Sequence, residues 1–251
     1  MTATFDPDTG RATLDRVSFD ALLALAAGAD PPARGLEKAQ EAGLVSGSSL
    51  HPAVRTPIAA AADPVAVARL EMRNEEGKLV VGECWVSTEA ATYLVGQPGG
   101  DLELISTAPS FFPVSISRLV GLSPRPRTGF QPWRMPREMV DDTLCDDPER
   151  RLTATTAISG SAGDEATTAY ADALAKGPWW YWNLGVHWPG TDESDGARSL
   201  HIVDTQLGMA ILSLSDELIA VDPTNPTEVF WLLTAILPRD NELAFAPAMP
   251  S

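Results

Sequence analysis

The chain contains the same short pattern twice. Residues 104–109 have the sequence LISTAP, and residues 218–223 have the sequence LIAVDP. The offset of 114 positions continues without a gap until Pro124 is matched with Pro238. Each stretch predicts a strand, a proline turn and a helix that stops at a proline. The chain is therefore predicted to consist of two related halves, with chance similarity between two simple strand–helix segments as the alternative.

Alternating apolar and polar residues before each pattern predict the strands of a sheet. Residues 65–73 and 78–86 form the clearest predicted hairpin, with a turn that ends on Gly77. Neither half buries both faces of its own strands, so the halves should pair into one sheet about a pseudo-two-fold axis. The predicted fold is α+β: an antiparallel sheet built from two pseudo-two-fold-related β-rich halves, each ending in a helix, with additional helices packed around it.

The segment 123–135 is rich in proline and arginine and predicts an extended connector, because a helix cannot cross three prolines. We therefore expect a single domain over residues 1–251, with one half at about 12–124 and the other at about 136–240.

Capping residues mark several predicted helices. Ser18 is predicted to cap the first of them, and Asp164 to cap a helix that Gly177 stops. Asn225 followed by Pro226 predicts the start of the last helix, since proline is favoured at the first helical position.

Charge and composition exclude several classes of function. Lysine and arginine number 18 against 34 aspartates and glutamates, which gives a net charge of −16. So acidic a surface repels phosphate backbones and anionic lipid, which argues against binding to nucleic acid or membrane surfaces. No apolar run reaches the roughly 18 residues of a membrane span, and the first residues do not resemble a secretory leader. With only Cys84 and Cys145 present, we expect both cysteines to be reduced and the protein to be cytoplasmic.

The sequence lacks the familiar motifs for catalysis and cofactor binding. The sequence has no G-x-S-x-G elbow and no phosphate-binding glycine loop. His187 and His201 would lie opposite each other in a hairpin that is symmetric about Ser194, and with Asp204 they could contribute to a metal site. Solvated histidines on an open strand face are the preferred interpretation. We expect no metal, no cofactor and no enzymatic activity.

The strand 179–188 carries the strongest local signal. Its even positions are all apolar and are predicted to face the core: Trp180, Trp182, Leu184, Val186 and Trp188. On the odd side, large aromatic groups carry polar tips, which is typical of partner-binding surfaces. We therefore predict that Trp179, Tyr181 and His187 are partly exposed and bind a partner. The alternative is that a helix covers this second face as well.

Several motifs, taken in order, resemble the EspG family of cytosolic chaperones in the type VII (ESX) secretion of actinobacteria. Ser18 to Ala27 with the following proline pair resembles the family's first helix and its exit, and residues 39–52 resemble the second helix and the passage after it. Residues 119–127 resemble the helix end and the proline–arginine connector between halves. Residues 204–208, DTQLG, resemble the family's DTxxG strand.

This resemblance implies a quasi-two-fold α+β fold and a soluble, non-catalytic chaperone. Its client would be a helical PE–PPE-like or related secretion substrate that docks on the sheet and the C-terminal helical region. Two departures put the client contact in question. Met209 stands where the family often has arginine, and residues 74–77 form a short turn where some members have a long loop.

Two other functions stay open from the sequence alone. One is a structural or immunity-type interaction module that forms homodimers through an exposed sheet edge. The other is an enzyme whose catalytic residues are scattered through the fold, which a perturbed acid or base in a deep pocket would reveal.

Overall fold

The computed structural model describes residues 3–97, 100–127, 129–145, 147–161, 164–190, 195–215 and 217–243. These residues form an eleven-stranded sheet, a two-stranded ribbon and eight α-helices. The strands are β1 (Thr4–Asp6), β2 (Arg11–Leu14), β3 (Val45–Ser46), β4 (Ser49–Leu50), β5 (Ala66–Asn74), β6 (Leu79–Val86), β7 (Ala91–Gly96), β8 (Leu102–Thr107), β9 (Trp133–Pro136), β10 (Trp179–Pro189), β11 (Asp195–Thr205), β12 (Gly208–Leu214) and β13 (Leu218–Thr224). The helices are α1 (Arg16–Ala26), α2 (Ala33–Glu41), α3 (Pro52–Ala62), α4 (Phe112–Leu119), α5 (Arg137–Thr143), α6 (Pro148–Ser161), α7 (Glu165–Lys176) and α8 (Pro226–Thr234).

The order of strands in the large sheet is the same in the two halves. It runs β1-β2-β8-β7-β6-β5-β10-β11-β12-β13-β9, and every neighbouring pair is antiparallel. Apart from β1 at one edge and the β3–β4 ribbon of the first half, each half contributes one strand, three helices, four further strands and a final helix. The predicted α+β class with two pseudo-two-fold-related halves is confirmed. The first strand of the second half, β9, begins within the segment that was predicted as a connector.

The two halves meet where β5 pairs with β10. Leu70 lies opposite Leu184 in this pair, and the two residues are 114 positions apart, which is the offset of the sequence repeat. An antiparallel pair has a local two-fold axis between its strands, so the pseudo-two-fold axis of the sheet passes between these two leucines.

The offset of 114 positions does not hold in the outer strands, so the ungapped match of residues 104–124 with 218–238 is out of register there. In the first half Ala68, Cys84, Tyr93 and Ile105 lie side by side across β5 to β8. The equivalent row in the second half is Trp182, Ile202, Ile211 and Asp222. The offset therefore grows from 114 at the centre to 118 in the next two strands and is 117 at β8 and β13. The four extra residues lie in the β10–β11 hairpin, in which both the strands and the connection are longer than in the β5–β6 hairpin.

One face of the sheet, here called the first face, is covered by α4 and α8. Phe112 and Ile116 of α4 and Val229 and Leu233 of α8 are buried against the central strands. Their strand partners are the apolar side chains Ala66, Ala68, Leu70, Cys84, Val86, Tyr93, Trp182, Leu184, Val186 and Trp188. This core spans both halves, so it buries the joint between them.

The opposite face, here called the second face, is covered only at its two ends. Helices α1, α2 and α3 pack over the outer strands of the first half, where Leu14, Trp85 and Leu104 are buried. Helices α5, α6 and α7 pack over the outer strands of the second half, where Val203, Leu212 and Val221 are buried. Between the two helix groups the side chains of the central strands are exposed or half-buried.

The N-cap residues predicted from the sequence are correct in α7 and α8 and wrong in α1. Asn225 accepts hydrogen bonds from the backbone N–H groups of Thr227 and Glu228, and Asp164 accepts one from Thr167, as predicted. In α1, Asp15 and not Ser18 is the cap, because its carboxylate accepts both the backbone and the hydroxyl hydrogen of Ser18. Lys38 also contacts this carboxylate and helps to lower its pKa to about 2.

The first-face core gives a test of the fold. Trp182 is 1% exposed in that core, whereas Trp180 on the same face is 38% exposed. Trp182→Ala should reduce the free energy of unfolding by about 3–5 kcal/mol, since it empties a close-packed site. Trp180→Ala is the matched control and should cost clearly less. Urea unfolding of both variants measures the difference, and equal losses would contradict this assignment of the core.

Candidate binding cleft

The aromatic residues at the start of β10 are placed differently from the sequence prediction. Trp179 is 0% exposed and packs in the core under α5 to α7, beside Phe130 and Tyr170. The prediction that Trp179 is partly exposed is therefore wrong. Trp180 was predicted to be core and is instead exposed. The alternation of faces is as predicted, but helices cover the second face at Trp179 and leave the first face open at Trp180.

The other two predicted contact residues lie on the uncovered part of the second face. Tyr181 is half-buried and His187 is exposed. Between them on the same face lie Asn183 and Gly185, both partly accessible. Their role in binding a partner stays a prediction.

The two histidines do not lie opposite each other. The register of β10 and β11 places His187 opposite Ala197 and His201 opposite Asn183. The predicted symmetry about Ser194 is wrong by two residues, which moves the rings about four residues apart along the strands, or roughly 13 Å. Within the described ranges, no three histidine, cysteine, aspartate or glutamate side chains are grouped to hold a metal ion. Cys84 and Cys145 are both free and buried.

A cleft of about 500 Å³ opens on the second face beside α5. Its floor is formed by the central strands, with Glu71, Arg73, Tyr181, Asn183 and His201. Its wall is formed by Arg137, Val140 and Asp141 of α5, by Leu144 after that helix and by Arg150 of α6, and its lining also includes Leu212, Leu214 and Ile219. The cleft therefore combines an aromatic and polar floor with apolar and charged walls. We call it the central cleft.

Tyr181 and His201 form the hydrogen-bonded centre of the floor. The Tyr181 hydroxyl lies 2.8 Å from Nδ1 of His201, and the two rings stack with centroids 6.3 Å apart. Burial raises the pKa of Tyr181, while burial and the nearby Arg137 guanidinium lower the pKa of His201. At neutral pH both groups are uncharged, so the floor offers aromatic surface and hydrogen-bonding groups to a partner.

The short turn between β5 and β6 is held close to the body of the protein. The Asn74 side chain accepts hydrogen bonds from the backbone N–H groups of Glu76 and Lys78, and Gly77 has a φ of 72°. Next to it, the Glu75 carbonyl accepts a hydrogen bond from the buried Arg151. This turn is therefore a fixed end of the cleft floor and not a projecting loop.

The sequence patterns do not indicate the pair that ties the connector to the sheet. Arg125 donates two hydrogen bonds to Asp204, Nε to Oδ1 at 2.8 Å and Nη2 to Oδ2 at 2.9 Å. The Asp204 side chain is 8% exposed, and the hydrogen bond to it raises the pKa of Arg125. Both residues stood in motifs that the sequence singled out, the proline–arginine connector and the DTxxG-like strand. Their contact joins positions 79 residues apart, which no local pattern indicates.

The DTxxG-like strand also explains why Met209 stands where the EspG family often has arginine. Thr205 donates to the carbonyl of Gly208 and closes the turn between β11 and β12. The next side chain, Met209, is 1% exposed and lies in the first-face core. An arginine there would place its charge in apolar surroundings, so methionine suits this packing.

The architecture defines the class: a quasi-symmetric α+β sheet with helices on both faces and an open cleft between two helix groups. Among solved structures, the chain is similar to the type VII secretion system chaperone EspG5 of Mycobacterium tuberculosis, solved in complex with the PE25–PPE41 dimer. The match has a TM-score of 0.62 and 16% sequence identity, and it covers 92% of this chain and 96% of that one. The chain thus has an EspG-like fold. Its sequence matches no protein-family model and no curated protein.

The connector pair gives a second test. Asp204→Asn should reduce the free energy of unfolding by about 1–3 kcal/mol, because it replaces the buried carboxylate by a neutral amide that has one accepting oxygen for two Arg125 donors. Asp172→Asn is the control, since its pair with Lys176 is exposed on both sides and is expected to change stability by less than about 0.5 kcal/mol. Both values come from urea unfolding. If the two substitutions cost the same, Arg125 and Asp204 do not hold the connector.

Proposed function

We propose that this protein is a cytoplasmic chaperone of the EspG type, which keeps a helical secretion substrate soluble by holding it in the central cleft. The client is a PE–PPE-like or related type VII substrate. The observation that carries the proposal is the open centre of the second face, in a fold that is similar to a chaperone solved with such a dimer. The activity is binding, without catalysis.

The uncovered part of the second face, which includes the floor of the central cleft, has the size of a helical tip. The side chains of β10 from Tyr181 to His187 span about 20 Å along the strand. The four central strands, β6, β5, β10 and β11, span about 14 Å from the axis of the first to the axis of the last. An α-helix with its side chains is about 10–12 Å across. The end of one helix, or the turn of a helical hairpin, would fit between the two helix groups.

The chemistry of the floor suits a partly apolar tip. Tyr181 provides a large surface at little cost in side-chain entropy, as in other protein interfaces. Leu214 is an exposed apolar residue in the cleft lining, and Val67 is another on the uncovered strands outside it. Because the turn at 74–77 is short and fixed, we propose that the floor itself takes the contacts that a long loop makes in some members of the EspG family.

Self-association through a sheet edge is the weaker alternative. The edge strand β1 has three residues, and the other edge strand, β9, has four and ends at Pro136. Short edges and proline are devices that discourage edge-to-edge pairing.

Within the described part of the chain, no helix combines the length and the apolar character needed to cross a bilayer.

Co-expression with small helical proteins encoded beside this gene tests the proposal. We expect one such protein, or a pair, to be soluble only with this chain and to elute with it as a stable complex. Tyr181→Ala should weaken that complex by about 2 kcal/mol or more, which is roughly a 30-fold loss in affinity. Calorimetric titration of the purified components gives the affinity.

Trp231 provides the matched control. It is an aromatic residue on α8, at the other side of the molecule, and is 66% exposed. Trp231→Ala should leave client affinity within about twofold, and both variants should melt as cooperatively as the parent chain. Loss of binding in Trp231→Ala with none in Tyr181→Ala would move the site to α8. Failure of every neighbouring helical protein to bind would refute the chaperone function.

A further inference from the structure

The two halves carry an arginine at the same topological position. Arg16 opens α1 directly after β2, and Arg137 opens α5 directly after β9. The strand orders of the two halves make these positions equivalent, and both side chains face the second face of the sheet. What differs is the set of groups around each guanidinium.

In the first half the guanidinium is neutralised by two carboxylates. Arg16 lies 2.6 Å from Glu83 on β6 and 3.1 Å from Asp20 one turn along α1. The hydrogen bond that Arg16 donates to Glu83 is the main reason why the pKa of Arg16 is raised. Together these contacts occupy the guanidinium of Arg16.

In the second half the corresponding strand residue is a histidine. His201 on β11 occupies the place of Glu83 on β6, as the pairing of Asn183 with His201 and of Arg69 with Glu83 shows. Burial and the charge of Arg137 lower the pKa of His201, so the neutral ring faces a guanidinium that it cannot neutralise. Among the described residues, no ion pair or side-chain hydrogen bond involves Arg137, although Asp141 follows it by one turn.

The other charges of the central cleft leave a second guanidinium without a counter-ion. Glu71 is paired with Arg69 at 2.9 Å, and Arg150 contacts Asp142. Arg73 is exposed, and within the described residues it takes part in no ion pair. The lining thus contains three arginines against two carboxylates, in a chain whose net charge is −16.

We propose that the central cleft binds a carboxylate, and that Arg73 and Arg137 are the groups that hold it. The Asn183 amide already donates to Glu71 Oε2 at 3.5 Å, so its second N–H is the one that a bound carboxylate can accept. Resting on the proposed function, this means that the client presents an aspartate or glutamate at the tip that enters the cleft. Guanidinium–carboxylate pairs are short and directional, and they select a charged group over a neutral one of the same shape. The acidic surface elsewhere repels such a tip, so the cleft is the place where it is accepted.

Glutarate and its neutral diamide, glutaramide, test the charge selectivity without any client. Each is titrated into the ¹⁵N-labelled full chain at low salt, and the arginine Nε–H signals are followed by NMR. We expect glutarate to shift the signals of Arg73 and Arg137, to leave that of Arg16 in place, and to bind at least fivefold more weakly in Arg137→Gln. Glutaramide should shift none of them.

Arg16→Gln is the control variant, because it removes the equivalent guanidinium from the first half. It should leave glutarate affinity unchanged, although it breaks the contact to Glu83. Equal responses to glutarate and glutaramide, or a shift of Arg16 as large as that of Arg137, would overturn the anion site. A chain that binds glutarate but no helical client keeps this site and loses the chaperone function. A chain that holds its client but ignores glutarate loses the site and keeps the function.

Discussion

The pairing of β5 with β10 is the constraint on which the rest of the structure depends. It joins two half-sheets at Leu70 and Leu184 and turns them into one eleven-stranded sheet. The joint determines where the helices can go. On the first face α4 and α8 meet over it and bury it, whereas on the second face each half brings three helices over its own outer strands and leaves the joint open. The central cleft is therefore a product of the two-fold arrangement and not of any one loop.

The two halves share one fold but differ in the charged groups around their equivalent arginines. Both halves place an arginine at the start of the helix that follows their first strand, but only the first half supplies carboxylates to it. Replacement of a glutamate by a histidine at one strand position leaves a cation facing an opening. A fold with two similar halves permits this difference. One half can keep the ion pair of its arginine, while the arginine of the other half stays open to a ligand.

Much of the fold could be predicted from the sequence, because its signals are local or repeated. The β5–β6 hairpin follows from alternation and a turn glycine, and the start of α8 follows from Asn225 and Pro226. The repeat indicated two related halves, although the matched stretches 104–109 and 218–223 belong to β8 and β13, where the offset is 117, and the value of 114 holds only at the joint. What failed was long-range: the longer β10–β11 hairpin shifted the offset by three to four residues in the outer strands and displaced the histidine register. The exposures of Trp179 and Trp180 depend on where helices from elsewhere in the chain end. Tyr181 and His187 could be proposed from one strand, but Arg73 and Arg137 required the assembled sheet.

The position of the joint also has a consequence for the way the chain is made. Strand β5 and its partner β10 are separated by roughly 110 residues, so at 5–20 residues per second the ribosome needs roughly 5–20 s to deliver the partner. During this interval the first half has an unpaired edge at β5, lined by the apolar side chains that later form the shared core. A protein whose proposed task is to shield others from aggregation thus passes through a stage at which it is itself open to mispairing, and the speed of translation between the two halves becomes a determinant of its yield.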